Sequence, residues 1–348
     1  MPHDVLISIT AELGKIGFVR VLPTPESYIS QHVCLVRLEE REIDPEFVAH
    51  LLSSTPERRR INRLNDAGAK SGLNLQTIAR FQVVLPPLSE QRKIAEILRT
   101  WDEAIKKLEA LRAAKQSRQR ALTHSLVFGA RQLNRFRKAV EAKSYRWFTL
   151  PASWGCKSIG KLAKEISERN ASGDQHEVLS CSKHDGFVRS LDYFKKQVFS
   201  ADLSAYKKIR RDDFGFPSNH VEEGSIGLQN LTDVGLVSPI YTVFRFAPDL
   251  VDGNYAFAVL KTATYRHIFE VSTSASVDRR GSLRWTEFSK LPFPVPLLPE
   301  QKAIAEVLQV AGDEIKGLDV EIEILQRQKR GLMQKLLTGE WRVKAEAG

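Results

Sequence analysis

The sequence predicts an α+β protein: two mixed α/β units, the first one partial, separated by two long antiparallel helices that form a coiled coil. Three observations point there. Glu90, Gln91, Ile94, Ala95, Glu96 and Leu98 recur as Glu300, Gln301, Ile304, Ala305, Glu306 and Leu308, a constant offset of 210 that also joins Leu73 to Leu283 and Gly129 to Gly339. Both copies carry an apolar seam with alternating steps of four and three. The stretches preceding the two copies also resemble each other, but their offsets shift from piece to piece. Solvated loops accept insertions, whereas a packed element of fixed length does not.

Residues 5–9, 17–22 and 32–38 read as strands, and residues 45–64 as a helix that Asp44 caps with Pro45 in its first turn. Pro86 and Pro87 end an extended piece, and Ser89 can cap the first long helix. Its seam is Ile94, Leu98, Trp101, Ile105 and Leu108, resuming at Leu122 and Leu126. The second seam is Ile304, Leu308, Ala311, Ile315, Leu318, Ile322, Leu325, Leu332 and Leu336. Each helix of about 40 residues would measure about 60 Å. A seam of that length calls for a helical partner, and the other copy is the nearest one; packing of each helix on its own domain is the alternative.

Residues 147–291 contain strand-like runs and a helix near 255–269. They match the first unit at residues 14–19 against 232–237, at 33–38 against 241–246, and at Asp44/Asp252, Phe47/Tyr255 and Leu52/Leu260 with an offset of 208. Pairing Gly17 with Gly235 aligns Met1 near Asn219, so the first unit is expected to lack a counterpart of residues 147–218. The resulting boundaries are 1–88, 89–140, 141–298 and 299–348.

A net charge of +10 and a pI near 9.5 in 348 residues favour a polyanionic partner, nucleic acid ahead of a membrane surface. Cys34, Cys156 and Cys181 form no paired motif, which argues against a disulfide framework. No run of about 18 apolar residues occurs, and a cytoplasmic location is expected. No GxxxxGK[ST] loop, glycine-rich dinucleotide fingerprint or nuclease constellation is visible, so the chain reads as non-catalytic. His176, Cys181 and His184 make a poor zinc set, and no metal is expected.

Residues 85–98 (LPPLSEQRKIAEIL) and 295–308 (VPLLPEQKAIAEVL), each leading into a heptad helix that ends near LVFG or LLTG, resemble the specificity subunit of type I restriction-modification systems. Residues 4–19 (DVLISITAELGKIGFV), 30–38 (SQHVCLVRL) and 68–75 (GAKSGLNL) resemble the distal half of a target recognition domain. The resemblance implies a subunit with two recognition domains, the first N-terminally truncated, that reads a bipartite double-stranded DNA target and docks two methylation subunits. It implies restriction subunits in the full complex. It also implies no cofactor in this chain, with S-adenosylmethionine, ATP and Mg on the partner subunits. A second copy or a fragment is a further candidate partner, to complete the first domain. A coiled-coil interaction scaffold and a stand-alone DNA-modifying enzyme are the rival readings.

Candidate DNA contacts in the second unit are Lys195, Lys196, Lys207, Lys208, Arg210 and Arg211, interleaved with Tyr193, Phe194, Phe199 and Tyr206. Arg279, Arg280 and Arg284 lie in a loop before the second long helix that matches Lys70 and its neighbours, and arginine can bond guanine bidentately. Gln229 and Asn230 could read adenine or serve a turn; Lys15, Arg58 and Arg59 are the first unit's candidates, equally compatible with a solvated face. Glu90, Gln91, Glu300 and Gln301, in the first helical turns, either serve the helix N-termini or hold a partner subunit.

Overall fold

The computed structural model describes residues 1–10, 12–22, 24, 26–64, 72–137, 141–219, 221–274 and 282–344. It divides into two compact units, Met1–Ala113 with Lys316–Gly348, and Ala114–Ile315.

In the first unit, strands β1 (Val5–Ser8), β2 (Ile16–Phe18) and β3 (Val33–Val36) form an antiparallel sheet in the order β2-β1-β3. Helices α1 (Pro45–Ser53), α2 (Thr55–Arg63) and α3 (Leu75–Ala79) follow, then the long α4 (Leu88–Val127). The single helix expected over 45–64 is two, broken at Ser54, whose ψ is 151°. Pro56 has no N–H to offer the carbonyl four residues back, so the chain restarts there. Val5, Phe47, Leu51, Ile94 and Leu98 build the core, joined by Leu336 from the final helix.

The second unit is richer in strands: β4 (Ala142–Ser144), β5 (Thr149–Pro151), β6 (Gly155–Ser158), β7 (Ala163–Ile166), β8 (Glu177–Ser182) and β9 (Gly186–Arg189). After helix α5 (Ser190–Phe194) come β10 (Lys207–Arg210), β11 (Phe214–Pro217), β12 (Gly227–Leu228), β13 (Val234–Val237) and β14 (Tyr241–Phe246). Helices α6 (Gly253–Leu260), α7 (Ala263–Ser274) and α8 (Trp285–Phe288), strand β15 (Pro292–Val295) and the long α9 (Leu298–Leu337) complete the order. The main sheets run β12-β11-β14-β7 and β10-β13-β8-β9, and β15 pairs with β6. Phe214, Phe216, Phe244 and Phe288 form an aromatic core, with Phe216 and Phe288 centroids 4.7 Å apart. Such ring pairs bury large apolar area in fixed geometry.

The two long helices are antiparallel in each unit. In the first, Lys329 Nζ meets Asp102 Oδ1 at 2.5 Å and Arg112 meets Asp319 at 2.9 Å, numbers rising along α4 as they fall along α9. In the second, Lys115 meets Glu314 at 2.7 Å and Gln119 lies against Gly312, in the same sense. Ile105 and Leu318 of the predicted seams are buried, as are Ile304 and Leu308.

One sequence pairing is corrected. β13 lies in a different sheet from β12, whereas β2 and β12 hold the same place, the edge beside β1 and β11 respectively. Val5 pairs with Phe18 and Val36; Phe214 pairs with Leu228 and Phe244. Gly17 therefore corresponds to Gly227 and not to Gly235, and Val5 to Phe214. The loop before each long helix returns equivalently: Leu73 N–H donates to Ile9 O at 3.0 Å and Leu283 N–H to Ser218 O at 2.8 Å.

Candidate nucleic-acid interface

A helix start leaves backbone donors unsatisfied, and side chains satisfy them. Asp44 and Asp252 do so identically: Phe47 N–H donates to Asp44 Oδ1 at 2.8 Å and Tyr255 N–H to Asp252 Oδ1 at 2.9 Å. Each capping residue is held in turn by a glutamine of a long helix. Gln91 Oε1 accepts from Asp44 N–H at 2.9 Å while its Nε2 donates to Pro86 O at 2.8 Å. Gln301 Oε1 accepts from Asp252 N–H at 2.9 Å while its Nε2 donates to Pro296 O at 2.9 Å and Leu250 O at 3.0 Å. The glutamines are thus bolts between α1 and α4 and between α6 and α9. Glu90 is buried as well, accepting from Arg342 at 2.6 and 2.8 Å and from Val343 N–H at 3.3 Å. The Arg342 guanidinium holds the Glu90 carboxyl below its usual range, against the opposing effect of burial. Glu300 is buried too. The expectation that Glu90, Gln91, Glu300 and Gln301 hold a partner subunit is therefore corrected: their side chains lie inside the two units.

A second repeated device escaped the sequence reading. Arg37 binds buried Asp4 through two bonds of 2.8 Å, and Arg245 Nε binds buried Asp213 at 2.7 Å. In the strand correspondence above, Asp4 matches Asp213 and Arg37 matches Arg245. Each pair ties the start of one strand to its neighbour. Asp4 is held down at about 2, chiefly by Arg37, whereas burial outweighs the arginine at Asp213 and raises it. The signal was a matched Asp and Arg at offsets of 209 and 208, hidden because the offset changes between them.

The basic candidates divide by what they already touch. Lys207 donates to Tyr241 O at 2.6 Å, and desolvation lowers its pKa. Lys208 meets Asp174 at 2.8 Å, Arg210 meets Glu168 at 2.9 Å, and Arg211 meets Asp233 at 3.1 Å and Asn230 O at 2.8 Å. Tyr206 and Phe199 pack in the interior beside them. Gln229 is corrected to a structural residue: it is buried, its Nε2 donates to Thr232 O at 2.7 Å, and its Oε1 accepts from Leu231 N–H at 2.7 Å. Asn230 is exposed on that turn.

Lys195 and Lys196, by contrast, are exposed and enter no ion pair among the described residues. Lys195 takes a left-handed conformation, φ 53°, ending α5. Beside it Tyr193 and Phe194 remain 50% and 42% exposed, with their rings edge to face at 5.0 Å. Two ammonium groups next to two solvent-facing aromatic rings suit contact with phosphate and base. In the first unit Arg58 and Arg59 are exposed on α2, and Lys15 pairs with Glu12 at 2.9 Å. Arg284 is exposed at the start of α8. Lys70, Arg279 and Arg280 lie outside the described residues. His176, Cys181 and His184 do not gather into a metal-holding group among the described residues, and no helix of these is long and apolar enough to cross a membrane.

Fold and site together define a tandem-duplicated α+β protein whose two units each bolt a long helix to a small globular domain by the same Asp–Gln device. Residues 2–115 match the family described as type I restriction modification DNA specificity domain. The MjaVIII type I restriction enzyme specificity subunit of Methanocaldococcus jannaschii is 25% identical over 281 residues, 76% of this chain; the match spans 63% of that relative's own length. The fold matches that of a type I restriction-modification S subunit from M. genitalium with a TM-score of 0.58 at 14% identity, over 97% of this chain and 83% of that one. A chain solved in work on complex assembly and conformational transition of the type I R-M system gives 0.56 at 18% identity, over 97% of this chain and 82% of that one. The chain is thus similar to type I restriction-modification specificity subunits, with the family match confined to residues 2–115.

Proposed function

We propose that this chain is a DNA-reading subunit of a type I restriction-modification complex, in which each unit contacts one half of a split duplex target. The chain itself carries no chemistry in this reading. Methylation and restriction subunits supply it, together with S-adenosylmethionine, ATP and Mg. The observation that carries the proposal is the duplication of the bolt: two units that share it, on two helices of 40 residues each, suit two half-sites, as symmetric DNA binders do. The excess of positive charge suits the phosphate backbone. Because the bolting amides are occupied, docking of methylation subunits falls to exposed aliphatic residues of α9, Val307 and Val310 in the second unit and Val320 and Ile324 in the first.

The test is to reconstitute the chain with its methylation partner and map the modified sites. A split motif is expected. Adding one heptad to α4 and one to α9 lengthens each by about 10 Å, so the unread gap should grow by about three base pairs. An unchanged gap would sink the proposal that helix length sets the spacing, and a chain that modifies DNA alone would return the enzymatic reading. A second expectation concerns α5. Lys195→Glu with Lys196→Glu should weaken DNA binding by about 10-fold or more and lower the slope of log affinity against log salt by about 2. An unaltered slope would remove this patch from the interface.

A further inference from the structure

The positive charge of this chain is not spread evenly over it. Residues 114–164, all in the second unit, hold twelve lysines and arginines and one acid, Glu141. That stretch carries +11, so the remaining residues together carry −1 against a total of +10. None of the candidate DNA contacts named above lies in it, so the electrostatic footprint falls outside them.

Packing gathers part of this stretch into one loop. Gly129, at φ 69° just beyond α4, has no room for a side chain against Pro151. Phe128 stacks on Phe148 with centroids 5.1 Å apart, and Ala152 N–H donates to Glu141 O at 2.8 Å. The chain thus leaves the end of α4, travels through residues 131–146 and returns beside its starting point. Arg131, Arg135, Arg137, Lys143 and Arg146 are exposed on this excursion, and none enters an ion pair among the described residues. Aromatic rings steady two of them: the Arg146 guanidinium lies 4.5 Å from the Trp147 centroid, and that of Arg135 lies 5.0 Å from Phe136. A guanidinium resting on a ring face keeps its in-plane N–H donors free for an anion.

The internal repeat separates this charge from the framework. At the offset of 210, Lys115, Arg118 and Arg131 stand where the other copy has Leu325, Gln328 and Trp341. Cations that the other copy does carry are met by acids: Arg327 by Glu323 at 2.8 Å, Lys329 by Asp102 at 2.5 Å and Arg342 by Glu90 at 2.6 Å. A like-charged cluster left without acids repels itself, a cost that a bound polyanion removes.

We propose that residues 131–146 form a phosphate-binding loop that holds duplex DNA by its backbone, whatever the base sequence, apart from the surfaces that read bases. The assignment rests on the reading of this chain as a DNA-binding subunit and adds a site to it. Neutralised phosphates release condensed counterions, so the contribution of the loop is steep in salt and equal for every sequence.

The test uses the full chain assembled with its methylation partner, a duplex bearing the mapped split motif and an unrelated duplex of equal length. Arg135→Gln, Arg137→Gln, Lys143→Gln and Arg146→Gln together should weaken binding of both duplexes alike, by about tenfold or more, and lower the slope of log affinity against log salt by about 3. The mapped motif should stay the same. A charge-preserving set, Arg135→Lys, Arg137→Lys, Lys143→Arg and Arg146→Lys, should keep the original slope; a slope that falls there too would point to a disturbed loop and overturn the assignment. A slope unchanged by the glutamines while DNA still binds would overturn it as well. So would glutamines that block assembly with the methylation subunit while the chain alone binds DNA as before, since the loop would then hold an acidic protein. An unaltered complex that binds neither duplex would remove the DNA reading itself, and this site with it.

Discussion

Replacing Gln301 by leucine is expected to destabilise the second unit by about 3 kcal/mol, because a buried amide leaves behind one donor and two acceptors with no water to replace it. The orphaned groups would be Asp252 N–H, Leu250 O and Pro296 O, all now bonded to that one side chain. Leucine fills similar volume, so the loss is one of polar pairing and not of packing. The consequence spreads, since Asp252 also caps α6 through Tyr255 N–H, and Tyr255 in turn donates to Val127 O at 3.2 Å. Gln91→Leu should cost the first unit a comparable amount through Asp44 and Pro86. Denaturant unfolding followed by hydrogen exchange at α6 and at α1 separates the two units. The measurement also decides between the two roles that sequence left open. A glutamine that held a partner subunit would give a variant of wild-type stability that fails to assemble. A bolt gives a variant unstable before any partner is added.

Much of the architecture was legible because packing writes a period into sequence. The heptad seams and the unbroken offset of 210 exist because each long helix buries one edge at fixed register, and both helices run 40 residues as expected. Asp44 was legible as a cap because capping has a local signature, and Asp252 was legible as its match in the repeat. The site was far less legible. Whether a lysine is available depends on what folding brings near it: Lys195 and Lys207 look alike in sequence, yet one faces solvent and the other donates to Tyr241 O. Gln229 looked like a reader for the same reason, and folding turned its amide inward. The mispairing of Gly17 with Gly235 has another cause. Short strands around a glycine carry too little pattern to fix a register, and only the ladder bonds place Gly17 opposite Leu6 as Gly227 is opposite Gly215.

Acidification from neutral pH should loosen the first unit before the second. His50 on α1 is buried, with Glu46 on its own helix, Arg20 after β2, Asp102 on α4 and Lys329 on α9 around it. Burial, and then the Lys329 charge, push its pKa down to about 4 from an ordinary 6.5, while Asp102 and Glu46 pull only partly the other way. The sign follows from counting protons. Between pH 6.5 and about 4 the unfolded chain has taken up a proton that the folded chain refuses, so lowering pH through that window favours unfolding. The full contribution is present above 6.5 and is lost as pH falls to about 4, with a size of about 3 kcal/mol. Asp4, held at about 2, adds its own loss only below the ordinary carboxylate range, so measurements from pH 7 to 5 see His50 alone of the two. The second unit supplies the control. At the matching positions it carries Ala258, Gly312 and Gln119, none of which titrates, and Gly312 lies against Gln119 Nε2 just as Asp102 lies against Lys329. Exchange at α1 amides should therefore accelerate as pH is lowered, after correction for intrinsic rates, while α6 holds steady. His50→Ala, which copies Ala258, should flatten the α1 response; a response that survives this substitution would place the sensitivity elsewhere.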